Sequence, residues 1–381
     1  MVVAVISRKT GCTSAPGGAL IAAALALPGV TSTPAWGESA PQTSLFEAKY
    51  LDYRDWQPGA DRMTVRSPSF YLSRPLSETV LLEAGLVYDA MSGASPLYYN
   101  TLSGASGLGG VTDYRTAGDV KVTKYFDNVL VGVSAAISSE QDYLSRAAAL
   151  DVRVLSADRN RTYAFSFGGS GDVINSVNGV AENQHRHTIE YMVGVTQALS
   201  SESIIQSNLT YSYGHGYYSD PYKPLDTRPS ERRIFAWLTR YNEHLPASDA
   251  TLKLLYRYLH DSWGSISNTL EATWYQPLPR GFSVVPSVRY YTQSAANFYY
   301  NPPFPEGFVP GQDYTADTRL SAFGAFTVGA TLGATLSDGW SATLKVDFYR
   351  QKSAWRIGGS GSPDIEPFSA RWILLGFSKV F

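Results

Sequence analysis

Two histidines, His185 and His187, stand two apart and would share one face of a strand. Such a pair can begin a metal site, but no nearby cysteine or carboxylate completes the set that zinc takes, so no metal is expected. His260, Asp261 and Ser262 are consecutive. Adjacent side chains diverge, whereas nucleophilic catalysis needs its groups to converge in space, which leaves a hydrolase as the weakest reading. Glu140 and Asp142 could hold a cation, although such a pair more often caps a turn or meets a neighbour such as Arg146. The single cysteine, Cys12, lies ahead of an apolar leader core, so neither thiol chemistry nor a disulfide framework is expected. No catalytic residue and no cofactor is indicated.

A different chemistry comes from charges that recur on one face of alternating segments. Glu83, Asp89, Asp119, Lys121, Glu190, Lys253, Arg257, Glu271, Arg289, Lys345 and Asp347 each sit opposite an apolar face. A charge turned to hydrocarbon near the midplane costs about 2–4 kcal/mol, so these residues belong in a wet or ion-paired interior. The functional reading is a polar pathway; the plainer one is a salt-bridged interior. Both signs occur, so the list alone points to no ion selectivity. Leu255 and Leu259 share the face of Lys253 and Arg257, which would suit either a lumen filling or a shift of register.

The elements that must position these charges are strands. Arg371–Phe381 sets Ile373, Leu375, Phe377, Lys379 and Phe381 on one face, with Trp372, Leu374, Gly376, Ser378 and Val380 on the other. Trp340–Gln351 and Val129–Ser138 alternate in the same way. Polar outer faces, which a soluble sandwich or propeller would need, are missing from Trp340, Ala342, Leu344, Val346 and Phe348. Charged residues are only 17% of the chain, while Tyr (26) and Gly (33) are abundant. The formal net charge is −2, and nothing suggests a nucleic-acid partner. Beyond the leader no run is long and apolar enough for a spanning helix.

In order along the chain, residues 1–37 read as a signal peptide cleaved within about 35–40, with Arg8 and Lys9 before the apolar Gly18–Leu27. Residues 38–44 would be a short periplasmic segment and 45–381 a transmembrane antiparallel β-barrel. Alternating segments separated by alternately short and long connections give about sixteen strands, within about 14–18. Arg74–Thr79 reads as a tight turn, Arg319–Leu336 as one long strand, and Ser337–Gly339 as a hairpin turn. Tyr88 and Phe348 would lie near the outer rim, and Trp274, Trp340 and Phe381 near the inner one. The terminal Phe381 behind Ile373, Leu375 and Phe377 resembles the signal that outer-membrane barrels present to the barrel-assembly machinery. Lys379 departs from that signal, where an apolar residue is usual, and could snorkel at the membrane edge.

Loop motifs carry a further resemblance. Ser92, Gly93, Ser95 and Pro96 follow Asp89; Glu140, Asp142, Tyr143 and Ser145 form a Glu-x-Asp-Tyr-x-Ser pattern; Asp220 and Tyr222 stand in SDPYK. Asp261 and Trp263 stand in DSWG, and Tyr290 and Gln293 in RYYTQ, followed by Ala296, Phe298 and Tyr299. Together these resemble a proteobacterial family of outer-membrane proteins, the domain of unknown function thirty-five seventy, from about Tyr50 to Phe381. The resemblance implies an outer-membrane barrel in a Gram-negative cell envelope, with no established reaction. It also implies envelope redox or flavin-attachment proteins as partners, by association.

The leading expectation is therefore a channel or transport pore exported to the outer membrane. The alternative is a docking component of an envelope redox system with a closed lumen.

Overall fold

The computed structural model describes residues 40–93, 111–223, 225–301 and 305–381. The leader, Ser95 and Pro96 lie outside the described residues. Sixteen strands follow one another as β1 (Leu45–Gln57), β2 (Ala60–Ser77), β3 (Val80–Gly93), β4 (Val111–Tyr125), β5 (Val129–Ser139), β6 (Tyr143–Leu155), β7 (Arg161–Ile174) and β8 (Gln184–Ala198). The second half runs β9 (Ser203–Gly216), β10 (Glu231–Leu245), β11 (Ala250–Asp261), β12 (Ile266–Leu278), β13 (Phe282–Gln293), β14 (Phe323–Thr335), β15 (Trp340–Lys352) and β16 (Phe368–Val380). Each strand pairs antiparallel with its neighbours in sequence, and β1 pairs with β16, so the sheet closes. Closure satisfies every backbone group within the sheet, which is what lets strands cross lipid.

The seam runs from Leu45↔Val380 to Trp56↔Ser369. Ser44 N–H donates to Phe381 O at 2.8 Å and Phe381 N–H returns a bond of 3.0 Å to Ser44 O. Inside the seam Leu51, Tyr53, Val65, Ala370, Trp372 and Leu374 pack together. Tyr53 and Trp372 stack with centroids 6.3 Å apart.

Burial alternates as the sequence does. Along β5, Leu130, Ala136 and Ser138 are buried inward, while Val133 and Ile137 are exposed outward. Phe165, Phe167, Tyr191, Val193, Leu209 and Tyr211 continue the exposed belt across β7–β9. This apolar outside and polar inside is the inverse of a soluble β-protein.

Seven short turns close the periplasmic end and the longer connections lie at the extracellular end. In the turn from β14 to β15, Asp338 (φ 54°) and Gly339 (φ 74°) are both left-handed, as a type I′ hairpin requires. Two expected boundaries are corrected. Arg74–Thr79 is not a turn: β2 continues to Ser77, and a register shift between Pro75 and Ser77 absorbs the proline. Arg319–Leu336 is not one strand: Thr318–Leu320 forms a single 3-10 turn capped by Asp317, and β14 starts at Phe323.

Candidate functional site

All eleven charges expected to face the interior lie on inward positions. The pairing carries Glu83 beside Lys121, Glu271 beside Arg289, and Lys345 two residues from Asp347 on β15. Asp89 is buried against Arg115 at 2.5 Å, with Glu140 3.9 Å from the same guanidinium. Lys121 meets Asp151 at 2.5 Å. Lys345 meets Asp347 at 3.0 Å, and Asp347 also accepts from the Trp372 indole. Glu83 accepts from Tyr71 Oη at 2.6 Å. Glu190 faces inward on β8 and is buried. Lys253, Arg257 and Arg289 are only part-buried. Leu255 and Leu259 sit on their inward face with unbroken β10–β11 register, so they fill the wall and mark no slip.

At the outer end of the barrel a row of side chains runs across β6, β7 and β8. Ser145 Oγ donates to Asp172 Oδ1 at 2.7 Å, and Arg186 Nε donates to Asp172 Oδ2 at 2.9 Å. Arg186 Nη2 also donates to Tyr143 Oη at 2.7 Å. The Arg186 guanidinium lies 5.6 Å from the Tyr143 ring and 5.0 Å from the Tyr218 ring. Tyr218 meets Trp263 edge-on at 5.3 Å, and Arg232 lies 4.2 Å from the Trp263 ring. Asp261 fixes that corner. Its Oδ2 accepts from Arg232, and its Oδ1 accepts from the backbone N–H groups of Trp263 (3.1 Å) and Ser265 (3.0 Å). Gly264 (φ 85°) supplies the left-handed turn that a side chain would strain.

Above this row two long loops interlock. Residues 217–230, between β9 and β10, bring Asp220, Lys223, Asp226 and Arg228; the connection 294–322 brings Thr315, Asp317 and Arg319. Arg228 Nη2 donates to Asp317 Oδ2 at 3.0 Å while its Nε holds Asp226 at 2.8 Å. Thr315 Oγ1 donates to Asp226 at 2.5 Å, and Arg319 spans Asp317 and Asp220. Burial alone would raise the Asp317 carboxyl. Arg319, Lys223 and Arg228 outweigh it and hold Asp317 well below the ordinary carboxylate range. Asp220 is also lowered: burial and the nearby Asp317 raise it, and Lys223 and Arg319 prevail. Neighbouring connections are tied in. Tyr222 Oη donates to Asp142 at 2.9 Å and accepts from Val177 N–H at 3.0 Å. Ala322 N–H donates to Ser362 Oγ at 2.9 Å.

A sequence model described as a protein of unknown function (DUF3570) matches residues 17–183 and 178–372. The chain belongs to this family. No curated protein matches it. Among solved structures, a bacterial polysaccharide outer membrane secretin is 8% identical with a TM-score of 0.51, over 89% of this chain and 98% of that one. CdiB from Acinetobacter baumannii is 12% identical with a TM-score of 0.50, over 88% of this chain, which spans 60% of CdiB. OccK11 from Pseudomonas aeruginosa is 8% identical with a TM-score of 0.45, over 92% and 99% of the two chains. At these identities the likeness concerns the fold alone, an outer-membrane type of barrel.

The motif residues of this DUF3570 member gather into knots at the extracellular end. Glu140 joins Asp89 and Arg115; Asp142 joins Tyr222; Tyr143 and Ser145 join Arg186 and Asp172. Asp261 and Trp263 join Arg232, and Asp220 joins the loop cluster. Gln293 donates to the carbonyls of Ser321 (2.6 Å) and Arg319 (3.0 Å). Tyr290 instead points outward and donates to Trp355 O. Ser92 and Gly93 end the β3 backbone. Arg146 points outward by the alternation of β6, opposite the outward Ile137, while Asp142 meets Tyr222 and Glu140 meets Arg115. His185, His187 and His260 face outward on β8 and β11, away from Asp261. Among the described residues no three metal-ligating side chains come together. Reading the sequence missed Arg115, Asp151, Asp172 and Arg186 as interior charges. Alternation carried through β4 and β6 would have found Arg115 and Asp151, while Asp172 lies near the outer end of β7, in a Gly- and Ser-rich stretch with no apolar alternation to mark it.

Proposed function

We propose that this protein is a channel for polar solutes across the outer membrane of a Gram-negative cell. One observation carries the reading. The inward faces of β10–β13 hold charged side chains that are neither packed away nor fully paired, including Lys253 and Arg257. Desolvating an unpaired cation costs several kcal/mol, so such residues are retained where water and solutes reach them. Sixteen strands also enclose enough width for an aqueous path. The neighbouring wall is tighter: inward residues on β5–β8 such as Ala136, Ala149, Ser166 and Ser170 are buried. The path therefore follows β10–β13, and the interlocked loops at the extracellular end control entry to it.

A second reading has its own observation. A loop surface fixed by buried ion pairs, Arg228 with Asp226 and Asp317, suits docking of a partner protein, including an envelope redox protein. Planar-bilayer conductance of the folded chain separates the two. Open steps favour the channel, and silence from folded protein favours docking.

A further inference from the structure

The lumen is electrically lopsided. On β10–β13 the midsection presents Arg240, Lys253, Arg257 and Arg289, with Glu271 the acid among them. The register places these groups together. Arg240 pairs with Leu255, which lies between Lys253 and Arg257 on the same face; Leu255 pairs with Glu271, and Glu271 with Arg289. Three inter-strand spacings and four residues of rise make a patch about 14 Å wide and about 13 Å tall. Toward the outer rim Asp261 closes on Arg232, and on β15 Asp347 closes on Lys345, so those charges cancel locally. Among the described residues neither Lys253 nor Arg257 forms an ion pair. Arg240 donates to the neutral Gln206 at 3.3 Å. The midsection of this wall carries three positive charges more than negative ones.

Eight strands away, β3 and β4 are diametrically opposite in the closed sheet. Among the described residues their inward faces carry Glu83, Asp89 and Asp119 against Arg115 and Lys121, an acidic balance by one charge. The field across the lumen thus runs from a basic wall that is part-exposed to an acidic wall. Hydrocarbon outside the strands focuses that field into the water it encloses.

We propose that Arg240, Lys253, Arg257 and Arg289 form an anion-binding track, and that the permeating solutes are small anions bearing a carboxylate or phosphate group. Guanidinium forks hold such groups through paired hydrogen bonds, and Lys253 acts as a point charge beside them. Part-exposed cations bind weakly enough to release, which conduction requires. Glu271 between Arg240 and Arg289 limits the strength of the track. This inference rests on the channel reading.

The test is the reversal potential of the refolded mature chain in a bilayer under a potassium chloride gradient, followed by block with inorganic phosphate. The expected result is chloride preference, with current reduced by phosphate. Lys253→Gln with Arg257→Gln lowers the chloride-to-potassium permeability ratio by roughly fivefold per charge, the weight of one unit charge at about 4 Å in water. Glu271→Gln raises the ratio, a gain that misfolding would not mimic, and heat-modifiable gel mobility verifies each fold. Steps without anion preference, or a ratio unmoved by these variants, overturn the track and leave the channel standing. Silence from folded protein overturns both.

Discussion

Asp317 accepts a 3.0 Å hydrogen bond from Arg228, although the two belong to loops eighty-nine residues apart in the chain. Both are buried, and Arg228 completes its fork on Asp226 through Nε at 2.8 Å and Nη2 at 3.0 Å. The strands set the barrel; this contact and its neighbours set the shape of its extracellular mouth.

Asp317→Ala removes one partner and leaves Arg228 and Lys223 facing a vacancy. Breaking a buried pair costs about 3–5 kcal/mol, and here the cost falls on the loops because the barrel ladder is untouched. Hydrogen exchange in residues 217–230 and 305–322 should rise sharply while heat-modifiable mobility stays as in the unmodified chain. Unchanged exchange would mean that the loops are held by other contacts.

Acid should release the same loops. Asp317 and Asp220 lie below their ordinary values when the loops are closed, so the closed form binds fewer protons than the open one. Their stabilisation is fully present above about pH 5 and is lost as the pH falls through and below about 4. Proteolysis of the loops by an acid-active protease, followed from pH 6 to pH 3, should show protection that fails only at the acid end. Failure near neutrality would contradict the account.

The fold was legible because lipid imposes a strict alternation that no loop disturbs. Val129–Ser138 and Trp340–Gln351 show it without interruption, and both are strands on the expected faces. Pro75 hid the end of β2, since a bulge lets a strand pass a residue that normally stops it. Arg319 hid the start of β14 for another reason: its partners Asp317 and Asp220 are tertiary, and no local pattern announces them. The charges on inward faces were legible singly. Their pairing was not, because Lys121 meets Asp151 and Asp89 meets Arg115 only once register is set. The segregation of cations onto β10–β13 depends on that same register.

Gly329 tests the tightness of β14 against β15. A Cβ there would meet the Val346 carbonyl at 2.5 Å and crowd the Asp347 carboxylate as well. Gly329→Val should therefore lower the folded fraction, disturbing Asp347, Lys345 and Trp372 together. A small-to-large change that overpacks a site costs about 1–3 kcal/mol, read as a lower urea midpoint for loss of the heat-modifiable band. Gly59, whose Cβ would meet nothing within 4 Å, supplies the control, its left-handed φ costing only local strain.

Lys379 lies over the Trp340 ring at 5.3 Å and donates to the Asp338 carbonyl. It snorkels at the periplasmic edge, which reconciles a lysine with the apolar alternation of β16. Lys379→Leu should lose about 0.5–1 kcal/mol or less from the cation–π contact. Lys379→Glu should do worse, since it sets a carboxylate against a carbonyl and a ring face. Equal urea midpoints for the two variants would show that the contact contributes nothing.

The proposed channel is a water-filled path through a closed sixteen-strand barrel. Single-channel recording of the refolded chain in a planar bilayer tests it most directly. Steady conductance steps that persist at neutral pH are the expected result. A silent bilayer, with protein verified as folded by heat-modifiable mobility, would contradict it.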